Sequence, residues 1–296
     1  MGKTVLPFLG VALLTASALL SGCAVTQTPT DPTTAPLTFA LPPSTDDPTL
    51  AERSAVVAEL VAAATGREVE VQEPADYMAV VESVRSGFTD VAMTSQFATA
   101  LAYENGSVTP IIVWDQEEGP ASLCFVRADS DIHDLDDFAG GQIAFVDPAS
   151  TSGHFLPKSL LVRHGYTEGR DYTATFAGSH EAAVLAMLNG TVDMACTARQ
   201  LVPTYIEGGL LAEGSYRQVA ETAPLPLGIS VVVSAEVDEN TRRQLTGHLP
   251  EALMADEDLA SLYGGAESYR INPDKSVYAP VLRIAREAGV ELADIR

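Results

Sequence analysis

The chain is poor in cysteine, in tryptophan and in positive charge. It has 296 residues, with 3 Cys, 1 Trp and 17 Lys+Arg against 40 Asp+Glu, a formal net charge of −23. The shortage of basic residues leaves no stripe for a phosphate backbone, so a nucleic-acid partner is excluded. It does not exclude a small anion, because local donors decide binding while the overall field acts mainly on approach. The cysteines and the 5 scattered histidines show no ligand spacing, so no metal centre and no cofactor are expected. Long apolar runs are also lacking after residue 20, so no later segment would span a bilayer. There is no G-x-S-x-G elbow.

The one long apolar run is at the start. Lys3 is the only charge in the first 23 residues, Val5 to Leu20 is apolar, and Leu20-Ser21-Gly22-Cys23 closes the run. That is the form of a secretory signal. A cysteine directly after L-S-G resembles the bacterial lipobox, which implies cleavage before Cys23, lipid on that residue, and a soluble, extracytoplasmic domain tethered to the membrane. Residues 1–22 are then the signal peptide. Residues 23–36, which include AVTQTPTDPTTAP, form a Thr- and Pro-rich tether. With Cys23 removed, Cys124 and Cys196 remain, in the apolar runs SLCFV and MACTA. Two readings stay open. They form a bridge if the two strands are neighbours, or they are two buried thiols, and the second is slightly preferred.

Beyond the tether, the pattern alternates. Strands are expected at Leu37–Leu41, Glu68–Gln72, Asp90–Met93 and Thr109–Trp114, with helices at Thr49–Thr65, Tyr77–Ser86 and Phe97–Tyr103 between them. The scheme repeats from residue 121 to 222, with a short helix at Leu135–Gly140 and another at Glu181–Asn189. Strand Ile229–Ser234 and helices at Asn240–Leu253, Asp256–Tyr263 and Val277–Ala288 follow and return to the first half. The fold class is α/β, two lobes (37–118 and 119–223, with 224–296 packing on the first), each an open, mostly parallel sheet with flanking helices. Ligand loops lie at the carboxyl ends of such strands and between such lobes. Ser44-Thr45 and Ser95-Gln96 occupy two such ends.

The centre of the chain is FVDPASTSG, Phe145 to Gly153. An apolar strand stops at Asp147-Pro148, Ser150, Thr151 and Ser152 follow, and Leu156, Leu160, Leu161 and His164 continue at helical spacing. A helix start carries unpaired N–H groups and partial positive charge, hydroxyls add donors, and Gly153 lets a ligand approach. That describes an anion site. By itself, a serine acting only as N-cap explains the stretch slightly better.

With AGSHEAAVLAMLNGTVDMA beyond it and DYMAVVESVRSGFTDVAM before it, this stretch resembles the phosphate/phosphite/phosphonate substrate-binding proteins of ABC importers, which are type II periplasmic binding proteins. The resemblance runs from about Leu37 to about Asp238. It implies a receptor that passes a small phosphorus oxyanion or organophosphonate to a membrane permease. It also implies that Ser150, Thr151 and Ser152 hold the ligand oxygens, that His180 reaches the same group, and that Tyr77 walls the site. Tyr77 could equally be a core aromatic, and Trp114 reads as strand core or hinge. Where many relatives carry an aspartate, this chain has Arg199 after Ala198. Where an aromatic-Gly-Pro-aromatic stretch is common it has Thr94-Ser95-Gln96-Phe97, with Thr99 beyond. Arg199 would favour a more fully ionised oxyanion or a ligand with a further acidic group, or else it points away. We expect a monomer, binding without chemistry. A sensory protein of the same fold, or a hydrolase using Ser152 and His180, are the alternatives. The hydrolase has no acid placed to orient His180.

Overall fold

The computed structural model of the chain describes residues 34–42, 48–115, 119–225, 227–256 and 269–289, with isolated positions 2 and 259. The signal peptide, the lipobox cysteine Cys23, most of the tether, and the loop bearing Ser44 and Thr45 lie outside the described residues, as does most of the helix expected at Asp256–Tyr263.

Two sheets organise the chain. The first is formed by β1 (Leu37–Ala40), β2 (Val69–Gln72), β3 (Val91–Thr94), β4 (Val108–Trp114), β10 (Ser230–Ser234) and β11 (Tyr269–Ile271), in the order β11-β4-β10-β3-β1-β2. The second is formed by β5 (Ser122–Arg127), β6 (Gln142–Phe145), β7 (Thr173–Phe176), β8 (Met194–Ala198) and β9 (Tyr216–Glu221), in the order β7-β6-β8-β5-β9. Each sheet with its helices is called a lobe below. Both sheets are mixed rather than mostly parallel. The parallel ladders are β2-β1-β3 and β7-β6-β8, and the crossing strands join antiparallel. β11 was not foreseen. It is a three-residue edge strand with no periodicity long enough to read.

The helices of lobe 1 are α1 (Pro48–Thr65), α2 (Tyr77–Arg85) and α3 (Gln96–Glu104); those of lobe 2 are α4 (Leu156–Arg163), α5 (His180–Leu188) and α6 (Val202–Glu207). Their starts have explicit causes. Asp76, Ser95 and Ser179 cap α2, α3 and α5 by accepting from Ala79 N, Ala98 N and Ala182 N. Gly66 ends α1 at φ 68°, and Gly190 follows α5 at φ 72°, both in the left-handed region that only glycine enters freely. The helix expected at Leu135–Gly140 is a single 3-10 turn, Leu135–Phe138, capped by Asp134. Asp134, Asp136 and Asp137 around it leave too little apolar face for a longer helix.

The chain's last helices, α7 (Glu239–Ala255) and α8 (Ala279–Glu287), return to lobe 1. α7 adds Leu245, Leu249 and Leu253 to the cluster holding Phe39, Met93 and Trp114. Trp114 is fully buried there. A second cluster crosses between the lobes: Phe97 and Leu101 of α3 and Leu282 of α8 share it with Ala149, Phe155 and Leu156 of lobe 2.

Cys124 and Cys196 sit opposite each other in the β5–β8 register and are bonded, with Cα atoms 4.0 Å apart and a sequence separation of 72. The slight preference for two free thiols is corrected. Sequence could not say that β5 and β8 are neighbours, because two other strands lie between them in the chain. Replacing both by serine should lower unfolding free energy by about 2 to 5 kcal/mol, the usual cost for a loop of this size. Denaturant titration with and without reductant measures this; an unchanged midpoint would mean that the bridge contributes nothing.

Candidate functional site

The strand end, the loop and the helix start of the central stretch are built as three pieces. β6 ends at Phe145, the loop runs through Asp147 and Pro148, and Thr151–Phe155 form one π-helical turn ahead of α4. Such wide turns recur at functional sites. Ser150 caps this turn: its Oγ accepts from Gly153 N at 3.0 Å. Thr151 Oγ1 accepts from Phe97 N at 2.9 Å, across the lobe boundary. A hydroxyl that accepts through its oxygen still has its hydrogen to donate. The Ser152 carbonyl accepts from Ser122 Oγ at 2.7 Å, and its half-buried side chain makes no bond within the described residues. Thr151 and Ser152 also precede the first intrahelical bond, so the turn itself offers no acceptor to their N–H groups.

Gly153 has a packing role that sequence did not show. A Cβ there would lie 2.2 Å from Val146 Cγ2 and 2.9 Å from Ser150 Oγ. The missing side chain makes room for the strand-end valine. The backbone confirms the tight fold-back, with Val146 N donating to Gly153 O at 3.0 Å.

His180 opens α5 and is 5% exposed. Its Nδ1 is 3.4 Å from Ala198 N and 3.0 Å from Thr197 Oγ1. A backbone N–H can only donate, so Nδ1 is the acceptor and the ring proton sits on Nε2. Burial lowers the pKa to about 4. At neutral pH this imidazole is therefore an uncharged donor. His154, in the π turn, is also lowered to about 4 by burial, against the opposing bond to Pro148 O. Its ring lies among Phe145, Phe155 and Phe176, with centroids 4.8, 4.6 and 5.0 Å away, and its Nδ1 donates to Pro148 O at 3.0 Å.

Lobe 1 reaches the same loop. Ser95 Oγ donates to Ala149 O at 2.9 Å and accepts from Ala98 N at 3.2 Å. The Phe97 and Phe155 rings meet at 3.8 Å between centroids. Asp147, 1% exposed, accepts from Ala149 N at 2.7 Å. Burial pushes its carboxyl up to about 6, against the Ala149 N–H bond, with Asp76 adding to the shift. Tyr77 stands on the first turn of α2 in the cluster shared with Phe97 and Phe155. Burial, and then the Asp147 charge, hold its phenol well above the ordinary range.

Two further candidates bond to the segments that link the lobes. Gln96 Nε2 donates to Leu227 O at 2.8 Å, on the segment returning to lobe 1. Arg199 Nε donates to Pro120 O at 3.0 Å, on the segment leaving it, and packs over Gly119. Both side chains grip the crossings between the lobes, so Arg199 neither points away nor faces the hydroxyl cluster through this bond. Residue-by-residue reading missed Asp147, Ser122 and Thr197. Asp147 was taken only as a strand stop, although an acid beside a serine-rich loop is itself unusual in an anion site and was a usable signal.

The chain matches the family described as ABC transporter, phosphonate, periplasmic substrate-binding protein, over residues 39–266. The chain belongs to this family. Among relatives, the phosphate-import protein PhnD of Mycolicibacterium smegmatis is 37% identical over 169 residues, 52% of this chain and 53% of that protein. The phosphonates-binding periplasmic protein of Escherichia coli is 28% identical over 127 residues, 40% of this chain and 38% of that one. The chain thus spans about half the length, or less, of these relatives. The structure of PhnD1 from Prochlorococcus marinus with methylphosphonate superposes with a TM-score of 0.73 at 17% identity, over 88% of this chain and 99% of that one. The binding component PA3383 of a phosphonate transporter from Pseudomonas aeruginosa gives 0.72 at 16% identity, over 86% and 87%. At that identity the likeness is one of fold.

Two outcomes follow. Gly153→Ala should cost about 1 to 3 kcal/mol of stability, since Val146 and the strand end must move; chemical denaturation at an unchanged melting point would show that the turn relaxes freely. Both buried histidines favour the neutral form, so between the unfolded value and about 4 the unfolded chain binds more protons and stability falls as pH falls. The loss at pH 5 should be on the order of 2 kcal/mol each, partly offset by Asp147, whose shift has the opposite sign. Imidazole NMR should show the His180 ring flat from pH 8 to 5.5; a midpoint near 6.5 would place it in water.

Proposed function

We propose that this chain is the extracytoplasmic solute-binding component of an ABC importer, and that it captures a phosphonate, phosphite or phosphate-like oxyanion between its two lobes. The observation that carries this is the state of the donors. The Ser150 and Thr151 hydroxyls are held by backbone N–H groups that bond to their oxygens, which leaves their hydrogens to donate. Beside them the turn presents the Ser152 hydroxyl and two N–H groups, and His180 carries its hydrogen on Nε2. Preorganised donors of this kind suit a tetrahedral oxyanion. We take Tyr77 and Ser95 as groups of lobe 1 that frame the site, and divide the chain into lobes at 37–118 and 119–223, with 224–296 returning to the first.

The same geometry argues for binding without chemistry. A serine nucleophile needs a base with a bare nitrogen toward it and an acid behind. His180 has the reverse tautomer, and a threonine hydroxyl and a backbone N–H stand where the acid would be. We further propose that the protein acts as a monomer and that Cys23 anchors it through lipid. The anchor rests on L-S-G-C alone; among the described residues no helix is long and apolar enough to cross a membrane.

A panel of phosphate, phosphite, methylphosphonate and 2-aminoethylphosphonate should raise the melting temperature for at least one member, as any ligand selective for the native state must. Ser152→Ala should weaken that ligand by about 1 to 3 kcal/mol in calorimetry, one lost donor to a charged group. No thermal shift with any of the four would remove the phosphorus oxyanion, and unchanged affinity would remove Ser152.

A further inference from the structure

The group that decides what His180 can offer lies on another strand. Residues 177–179 join β7 to α5 and run beside the central loop: Ala177 N donates to Phe145 O and Gly178 N to Val146 O, each at 2.8 Å. His180 follows as the first residue of α5. α5 covers one face of β8, where Ala195 packs with Ala183 and Val184. Side chains alternate along a strand, so Thr197 shares the face of Ala195, while Cys196 turns to the other, among Phe138 and Ile143. Thr197 is fully buried, and among the described residues its hydroxyl bonds to His180 alone, at 3.0 Å. A valine would fill such a strand position, whereas a buried hydroxyl costs stability unless it is bonded.

We propose that Thr197 is a positioning residue for the ligand site: it holds His180 as the tautomer with its proton on Nε2, so that the site takes a ligand oxygen that carries no hydrogen at that point. This rests on the reading of His180 as a ligand group. The bonding follows in two steps. The Ala198 N–H, with its nitrogen 3.4 Å from Nδ1, can only donate, so Nδ1 is an acceptor. The Thr197 hydroxyl, at 3.0 Å from the same nitrogen, must then donate to it. The Ala198 bond is longer than N–H donors usually make, so the Thr197 bond carries most of the preference. Without the hydroxyl, the two neutral tautomers come closer in energy.

The tautomer matters because the neighbouring groups are donors too. The oxygens of Ser150 and Thr151 are taken up by backbone N–H groups, which leaves their hydrogens to give. A bare Nε2 would put a lone pair among these donors, and an ionised oxygen would meet repulsion in place of a hydrogen bond. A phosphonate or phosphate dianion presents oxygens that suit the donor set. Burial keeps the ring uncharged, so the position of one proton, rather than a charge, decides what His180 presents.

The test reads the imidazole of the full-length protein by long-range proton–nitrogen correlation NMR, first without ligand and then beside calorimetry with methylphosphonate and inorganic phosphate. Such spectra separate the two neutral tautomers. Wild type should show His180 protonated on Nε2 and bare on Nδ1. Thr197→Val keeps the shape and removes the donor; it should show mixed tautomers and weaken the probe about five- to tenfold, the net worth of one hydrogen bond. Thr197→Ser returns the hydroxyl and should recover both readouts, which a purely structural role for the threonine would not require. If the valine variant does not fold, Thr197→Ala removes the donor with less bulk and carries the same test. A wild-type ring protonated on Nδ1, or a valine variant that keeps the pure Nε2 tautomer, overturns the proposal. So does a variant whose tautomers mix while the probe binds as to wild type, since His180 would then not meet the ligand. Failure of both probes to bind wild type counts against the proposed function instead, and the ligand-free tautomers then decide the role of Thr197 by themselves.

Discussion

The first turn of a helix has N–H groups that its own chain cannot satisfy, and in this protein one such turn in lobe 1 is satisfied by a loop of lobe 2. Thr151 supplies a hydroxyl oxygen to the Phe97 N–H of α3. Ser95, the cap of α3, returns a bond to Ala149 O. Around these polar contacts Phe97 and Phe155 meet within the apolar cluster that crosses the boundary. The docking is therefore paired and largely dry. Breaking one contact leaves a buried donor without a partner, which is costlier than the contact's net worth.

The same loop has to keep donors for a ligand, and it does so by using hydroxyl oxygens and hydroxyl hydrogens separately. Backbone N–H groups occupy the oxygens of Ser150 and Thr151, which fixes the rotamers without consuming the hydrogens. Gly153 makes the geometry possible, because Val146 fills the space where a side chain would be. His180 is set in the same way: Thr197 and Ala198 use Nδ1, and the proton is left on Nε2. The disulfide at Cys196 lies next to Thr197, so the strand that orients His180 is tied covalently to β5.

Much of this was legible along the chain. Caps and stops named the helices: Asp76, Ser95 and Ser179 before them, Gly66 and Gly190 after them. Apolar runs of four to seven residues named most strands. Element ends differed by a residue or two, since frayed turns and strand tips have little periodicity to read. The weaker elements were lost or mis-assigned. β11 is three residues long, and the acid-rich 135–140 stretch makes only one 3-10 turn. For the site, the hydroxyl loop and His180 were visible as residue types. Arg199 and Gln96 were not separable from ligand groups, because only the fold brings the carbonyls of Pro120 and Leu227 to them.

Sequence by itself determined the class of architecture and the chemical kind of the central loop. Alternation, caps and the order strand, hydroxyls, glycine, helix are local properties, set by the chain's own dihedrals and side chains. Tertiary structure alone decided how each group is spent. Whether a serine oxygen is a cap or a donor, whether a histidine is charged, and whether two cysteines meet depend on neighbours distant in sequence, and on burial that those neighbours create. Asp147 is the clearest case. Beside Pro148 it is a residue that stops a strand; in the fold it is 1% exposed, and burial with Asp76 nearby raises its carboxyl to about 6.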